Sequence, residues 1–151
     1  MRDVIFGELY FKYGWKRKDT IKIFGEEREV NLIVSGSEGK EILDSQREAY
    51  VNFKNRVNVK EIEIAIYKYY LSICEEYRDM LEEDADEFAP LIDSISEMAK
   101  LVNPIEMVLL RLENIREIGI LFECSWDIDA GLAVRIENEK IIEVGIQNIA
   151  L

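Results

Sequence analysis

Two groups of carboxylates have types and spacings that could do chemistry. Between Glu75 and Glu87 there are eight acidic residues against one arginine, Arg78, and the densest part is Glu82, Glu83, Asp84, Asp86 and Glu87. The second group is Asp127 and Asp129, set between Trp126 and Gly131 in the stretch ECSWDIDAGLAVRI. Carboxylates so placed can hold a hard cation, work as an acid–base pair or steer a basic partner. Spacing speaks against the first use. A calcium loop of the EF-hand type needs Gly at its sixth position and Glu at its twelfth, but counting from Asp127 gives Leu132 and Asn138. Asp84-x-Asp86 lacks the loop glycine as well. Pairs such as Glu61 and Glu63 are expected by chance in a chain with 31 acidic residues, so they do not single out acid–base catalysis. Steering of a partner stays open, beside the bland reading of a solvated helix end and a hairpin corner.

The chain has no histidine. That removes the commonest general base and transition-metal ligand, and with them every Ser-His or Cys-His nucleophilic arrangement. Cys74 and Cys124 stand fifty positions apart with no C-x-x-C spacing, so a zinc site is not expected and two reduced, buried thiols are. Glycine-rich phosphate loops, G-x-S-x-G elbows and H-E-x-x-H motifs do not occur. The expectation is a protein that is not an enzyme and takes no cofactor or metal. A net charge of −12 speaks against nucleic acid as a partner, because phosphate binding depends on clustered Lys and Arg. The N-terminal MRDVIFGELYFKYGW has no continuous apolar core or cleavage site, and no apolar run approaches the ~20 residues that span a bilayer. A cytoplasmic protein with no membrane contact is expected.

The elements that must position these carboxylates follow from periodicity. With 151 residues, the chain is read as one domain over 1–151, large enough to bury a core without staples. Alternation at Val4, Phe6, Glu8 and Tyr10, at Ile21 and Ile23, and at Val30, Leu32 and Val34 predicts a three-stranded antiparallel meander over roughly residues 4–35. Its turns are placed at Lys18-Asp19 and at FGEERE, which puts Lys16, Arg17 and Lys18 at a basic hairpin tip. Helical spacing then takes over. Ser37 is the expected N-cap of a helix carrying Ile42, Ala49, Tyr50 and Phe53. Gln46 falls among these apolar positions, either exposed or bonded to strand backbone.

Asn58 with Glu61 forms a capping-box pattern ahead of a long helix. Its stripe is Ile62, Ile66, Tyr69, Ile73, Tyr77 and Met80, and its end is expected between Met80 and Glu83, where carboxylates oppose the macrodipole. Ser94 with Glu97 opens a third, shorter helix. From Asn103 the period returns to two, and about four strands follow: IEMVLLRL, EIGILFECSW, LAVRIE and IIEVGI. The fold class is α+β, a mainly antiparallel sheet with a central helical segment packed on one face.

Trp126-Asp127-x-x-x-Gly131-Leu132 reads as a strand end, a turn and a strand start. Gly131 supplies positive φ and the aspartates accept loop N–H groups. This signature, followed by Val144-Gly145, resembles the C-terminal signature of an uncharacterised bacterial family of small acidic proteins of unknown function. Some members of that family are encoded beside polymorphic toxins as immunity proteins. The family pattern is W-D-x-E-H-G-L; here Asp129 replaces the Glu and Ala130 the His, which weakens any histidine-dependent activity and leaves the turn role of Gly131 intact. Gln46, Ala49-Tyr50, Phe53 and Tyr69-Tyr70 are similar to the same family.

Three functions are open. The first is a cytoplasmic protein-binding protein, an immunity-type inhibitor of a basic toxin, using Glu82, Glu83, Asp84, Asp86 and Glu87 with Asp127 and Asp129 as a second patch. The alternative is a self-associating structural or adaptor protein without a toxin partner. The third is a carboxylate-based, cation-dependent enzyme.

Overall fold

A computed structural model describes residues 1–150. A small N-terminal ribbon pairs β1 (Arg2–Asp3) with β2 (Gly7–Glu8). The main sheet has seven strands: β3 (Tyr10–Phe11), β4 (Trp15–Ile23), β5 (Glu26–Val34), β6 (Val102–Leu109), β7 (Glu117–Cys124), β8 (Leu132–Glu137) and β9 (Lys140–Gly145). They lie side by side in chain order, antiparallel except where β5 meets β6. The crossover between those two carries the helices α1 (Asp44–Arg56), α2 (Val59–Leu81) and the short α3 (Ala85–Phe88), with a 3-10 turn at Ile95–Lys100. The class is α+β, as the pattern implies.

The first predicted strand is broken. Asp3 Oδ2 accepts the N–H groups of Ile5 and Phe6 at 2.9 and 3.1 Å, and Gly7 takes φ 74°, so the chain folds back. Phe6 and Leu9 are buried and Val4 is exposed. The turn expected at Lys18-Asp19 does not exist either. β4 runs unbroken through Lys16, Arg17, Lys18 and Asp19, and the reversal comes earlier, at Tyr13 (φ 57°) and Gly14 (φ 127°). The turn at the far end of β4 is the two-residue Phe24-Gly25, with both residues at positive φ, and Asn138-Glu139 joins β8 to β9 in the same way. Paired positive φ values match the right-handed strand twist.

On the helix-covered face, the core is filled by alternate residues of every long strand, among them Ile21, Leu32, Met107, Ile120, Phe122 and Val134. α2 contributes Ile62, Ile66, Tyr70 and Cys74, all buried. Its central line therefore runs at a strict spacing of four, with Tyr69, Ile73 and Tyr77 on the flank and Met80 exposed beyond the sheet. Asn58 accepts the Lys60 N–H at 2.9 Å as its N-cap. The helix α1 starts later than expected, after Leu43 rather than Ser37. Ser94 and Glu97 do form a reciprocal capping box, opening the 3-10 turn. The opposite face of the sheet is partly covered by the C-terminal turn Gln147–Ala150, where Ala150 packs with Leu121 and Ala133. A side chain at Gly119 would come within 3.0 Å of the Ala150 methyl, which explains the glycine there.

Two polar clamps fasten the helical layer. Gln46, 1% exposed, donates from Nε2 to the carbonyls of Ser35 (2.8 Å) and Leu109 (3.1 Å), and its Oε1 accepts the Leu43 N–H at 3.0 Å. It thus joins the ends of β5 and β6 to the start of α1. Arg47 forks onto the Asp3 carboxylate at 2.7 Å and ties the N-terminal ribbon to α1. Burial alone would raise the Asp3 pKa; Arg47 and the N–H groups of Ile5 and Phe6 outweigh it and hold the carboxyl below its ordinary value.

Candidate functional site

The acidic run lies where α2 ends. Leu81, Ala85 and Ala89 recur every fourth residue, and the last two are buried, which anchors the segment by its small apolar side chains. Glu82, Glu83, Asp84, Asp86 and Glu87 are consequently all exposed. Glu82 closes the helix at φ 52°, ψ −112°, its N–H bonded to the Arg78 carbonyl. Positive φ is costly for a residue with a Cβ, so the break is held by what surrounds it. Arg78 supplies much of that hold, donating to the Ala89 carbonyl and to Asp86, each at 2.8 Å. Tyr70 donates to the Pro90 carbonyl at 2.7 Å. Asp86 is therefore engaged within the chain, while no internal ion pair is made by Glu82, Glu83, Asp84 or Glu87 among the described residues.

The corner at Trp126–Gly131 sits against the same end of α2. Trp126 is buried and its ring lies 4.8 Å from that of Tyr70. Asp127 works as a turn residue: Oδ1 accepts the Ala130 N–H at 3.0 Å, its carbonyl accepts the Gly131 N–H at 2.9 Å, and Oδ2 accepts the Tyr77 hydroxyl at 2.8 Å. Burial, with this carboxylate beside it, pushes the Tyr77 phenol well above its ordinary range. Gly131 has φ 63°, and a Cβ there would fall 2.5 Å from Gln147 Nε2, which is bonded to the Phe122 carbonyl at 2.8 Å. Asp129 is exposed and free of these bonds. Ser125 Oγ donates to the Phe88 carbonyl at 2.8 Å, linking the corner directly to the acidic segment.

The two sequence-derived patches thus share one end of the molecule, joined by Tyr77–Asp127 and Ser125–Phe88. Exposed apolar side chains stand among the carboxylates: Phe88, Leu91 and, at 84% exposure, Ile128. An open groove of about 730 Å³ runs past Ile128, Ser125 and Glu123 towards Lys100, Glu26 and Arg28. The surface offers a braced acidic rim with apolar points. Cys124, close beneath the corner, is buried, and burial pushes its thiol up to about 11, far from a reactive thiolate. Among the described residues, no three His, Cys, Asp or Glu side chains converge as a bound metal would require. No helix among them is long and apolar enough to cross a membrane.

Ile128, Leu91 and Phe88 escape a reading based on charge and periodicity, and only the oddity of an isoleucine between two turn aspartates signals the first. A second polar cluster is also invisible in the sequence. The expected basic tip, Lys16, Arg17 and Lys18, is interior to β4, and Arg17 turns towards the helices. Its Nη2 donates to the Tyr50 hydroxyl at 2.9 Å, and that hydroxyl donates to Asp19 at 2.8 Å. Burial and the Asp19 carboxylate push the Tyr50 phenol up to about 12.

No curated protein and no solved structure gives a significant match to this chain. The model of one family matches almost its whole length, residues 5–151, and the chain belongs to that family, the domain of unknown function DUF6985.

Proposed function

We propose that the chain is a cytoplasmic protein-binding module, an immunity-type inhibitor that occludes a basic toxin with the end of α2 and the adjoining corner. The observation that carries this reading is the convergence of the two carboxylate groups. Glu82, Glu83, Asp84, Glu87 and Asp129 remain exposed on one braced end, interspersed with Phe88, Leu91 and Ile128. Carboxylates attract the partner at long range and the apolar points hold it at contact. The likeness of Trp126-Asp127-x-x-x-Gly131-Leu132 to a bacterial immunity-associated signature supports the same reading.

The test starts from affinity capture with the full chain in a lysate of its native source, followed by kinetics with the captured protein. The combined substitutions Glu82→Gln, Glu83→Gln, Asp84→Asn and Glu87→Gln should slow association on the order of tenfold at low salt and flatten its salt dependence. An unchanged association rate removes this surface from the argument.

The second reading, a self-associating adaptor, draws on exposed Leu71 and Met80 along α2 and Leu91 beside it. Light scattering separates the two: a strict monomer at high concentration counts against the adaptor.

A further inference from the structure

The outer flank of β4 is bare from Arg17 onwards, because β3 pairs only with Trp15 and Lys16. In the β4–β5 ladder the two-residue turn makes Ile23 and Glu26 the closing hydrogen-bonded pair. Alternation then turns the main-chain groups of Lys18, Thr20 and Lys22 away from β5. Such a row is a ready template for another strand. Here it is occupied by side chains. Arg17 Nη1 donates to the Lys18 carbonyl at 2.9 Å, Asp19 Oδ1 accepts the Thr20 N–H at 2.8 Å, and Lys54 Nζ donates to the Thr20 carbonyl at 3.2 Å. Both groups of Thr20 and one of Lys18 are satisfied without a neighbouring strand.

The three side chains are held by one another. The Tyr50 hydroxyl, bonded to Arg17 and Asp19, lies between them, Lys54 Nζ is 3.3 Å from Asp19 Oδ2, and both cations lie over the Tyr50 ring. Tyr50 is in turn fixed against Phe6, with ring centroids 5.2 Å apart. Arg17 Nε is enclosed without a partner, a cost the cluster bears.

We infer that Arg17, Asp19, Tyr50 and Lys54 form a clasp that shuts the free edge of β4 against a second copy of this chain. Charge reinforces it. An antiparallel two-fold pairing centred on Thr20 would set Lys18 of each copy opposite Lys22 of the other, and like charges directly opposed are unfavourable. The inference is independent of the docking face proposed above, which lies on other elements.

The experiment compares the full chain with Asp19→Ala/Lys54→Ala and with the same variant carrying Thr20→Pro, by size-exclusion chromatography with light scattering and by circular dichroism. The proline removes only an outward-facing N–H, a position that an edge strand tolerates. The parent should be monomeric. The double variant should self-associate on the order of tenfold or more strongly, and Thr20→Pro should return it to a monomer. A double variant that folds and stays monomeric overturns the inference, as does association that survives the proline. Should the double variant fail to fold, Tyr50→Phe carries the same test. It keeps the ring against Phe6 and removes the hydroxyl that joins Arg17 to Asp19, and a strict monomer at every concentration would overturn the inference.

Discussion

Replacing Gln46 with leucine tests the clamp at the junction of β5, β6 and α1. The two side chains are close in volume, so packing changes little and the hydrogen bonds dominate. Three bonds disappear. The Leu109 carbonyl keeps a second donor, the Ser35 N–H at 3.0 Å, and loses least. The Ser35 carbonyl and the Leu43 N–H lose the side-chain partners that satisfy them, at 2.8 and 3.0 Å. An unsatisfied group in such surroundings costs about 1–3 kcal/mol; both sites are only part-buried, so the low end applies to each. Burying leucine in place of an amide returns a fraction of this. The net loss should be about 2 kcal/mol, a fall in Tm of roughly 4–8 °C for a chain of this size. Urea unfolding read by circular dichroism measures it, with an unchanged m value as the check that the denatured state is the same. A loss below about 0.5 kcal/mol, or a gain, would refute the view that these backbone groups depend on Gln46.

At the corner, Gly131→Ala should cost about 1–3 kcal/mol, from positive φ and from displacing Gln147. Combining it with Gln147→Ala removes the collision and leaves only the backbone term, so strict additivity of the two changes in urea unfolding would show that no collision exists. Asp3 makes stability depend on acidity. Its folded pKa lies below the ordinary 3.8, so its contribution is fully present above that value and fades as pH falls through the folded pKa. Asp3→Asn should lower stability at neutral pH and flatten the acid limb of the stability profile; an acid limb identical to the parent's would exclude the Arg47 contact as its source.

Local patterns carried much of the fold. Alternation in EIGILFECSW and LAVRIE and the caps at Asn58 and Ser94 are short-range signals, and the structure follows them. In α2 the expected stripe holds at Ile62 and Ile66 and then shifts, Tyr70 and Cys74 taking the buried line in place of Tyr69 and Ile73. The acidic run is legible as exposed from its charge density alone, whereas its anchoring by buried Ala85 and Ala89 emerges only in the structure. What failed was long-range. Lys16 to Asp19 looks like a polar turn, because nothing nearby reveals that Tyr50 and Lys54, more than thirty residues away, complete the environment of Arg17 and Asp19. The fold-back at Asp3 depends on one carboxylate bonding two following amides, and the segment otherwise alternates like a strand. Ile128 and Leu91 belong to no periodic face, so no pattern marks them. The coarse family likeness is matched by DUF6985 over residues 5–151.

The lone parallel joint, Asn31–Val34 against Glu106–Leu109, has a kinetic meaning. On either side of it every strand contacts its chain neighbour, so the amino-terminal hairpin and the carboxy-terminal meander are each local enough to assemble early. Their union must close a loop of some seventy residues, an entropic toll that falls late. The sheet thus resembles two zipped halves meeting at a seam, with Gln46 as the pin driven through it. Native-state hydrogen exchange should find the two halves opening as separate cooperative units, parted along that line.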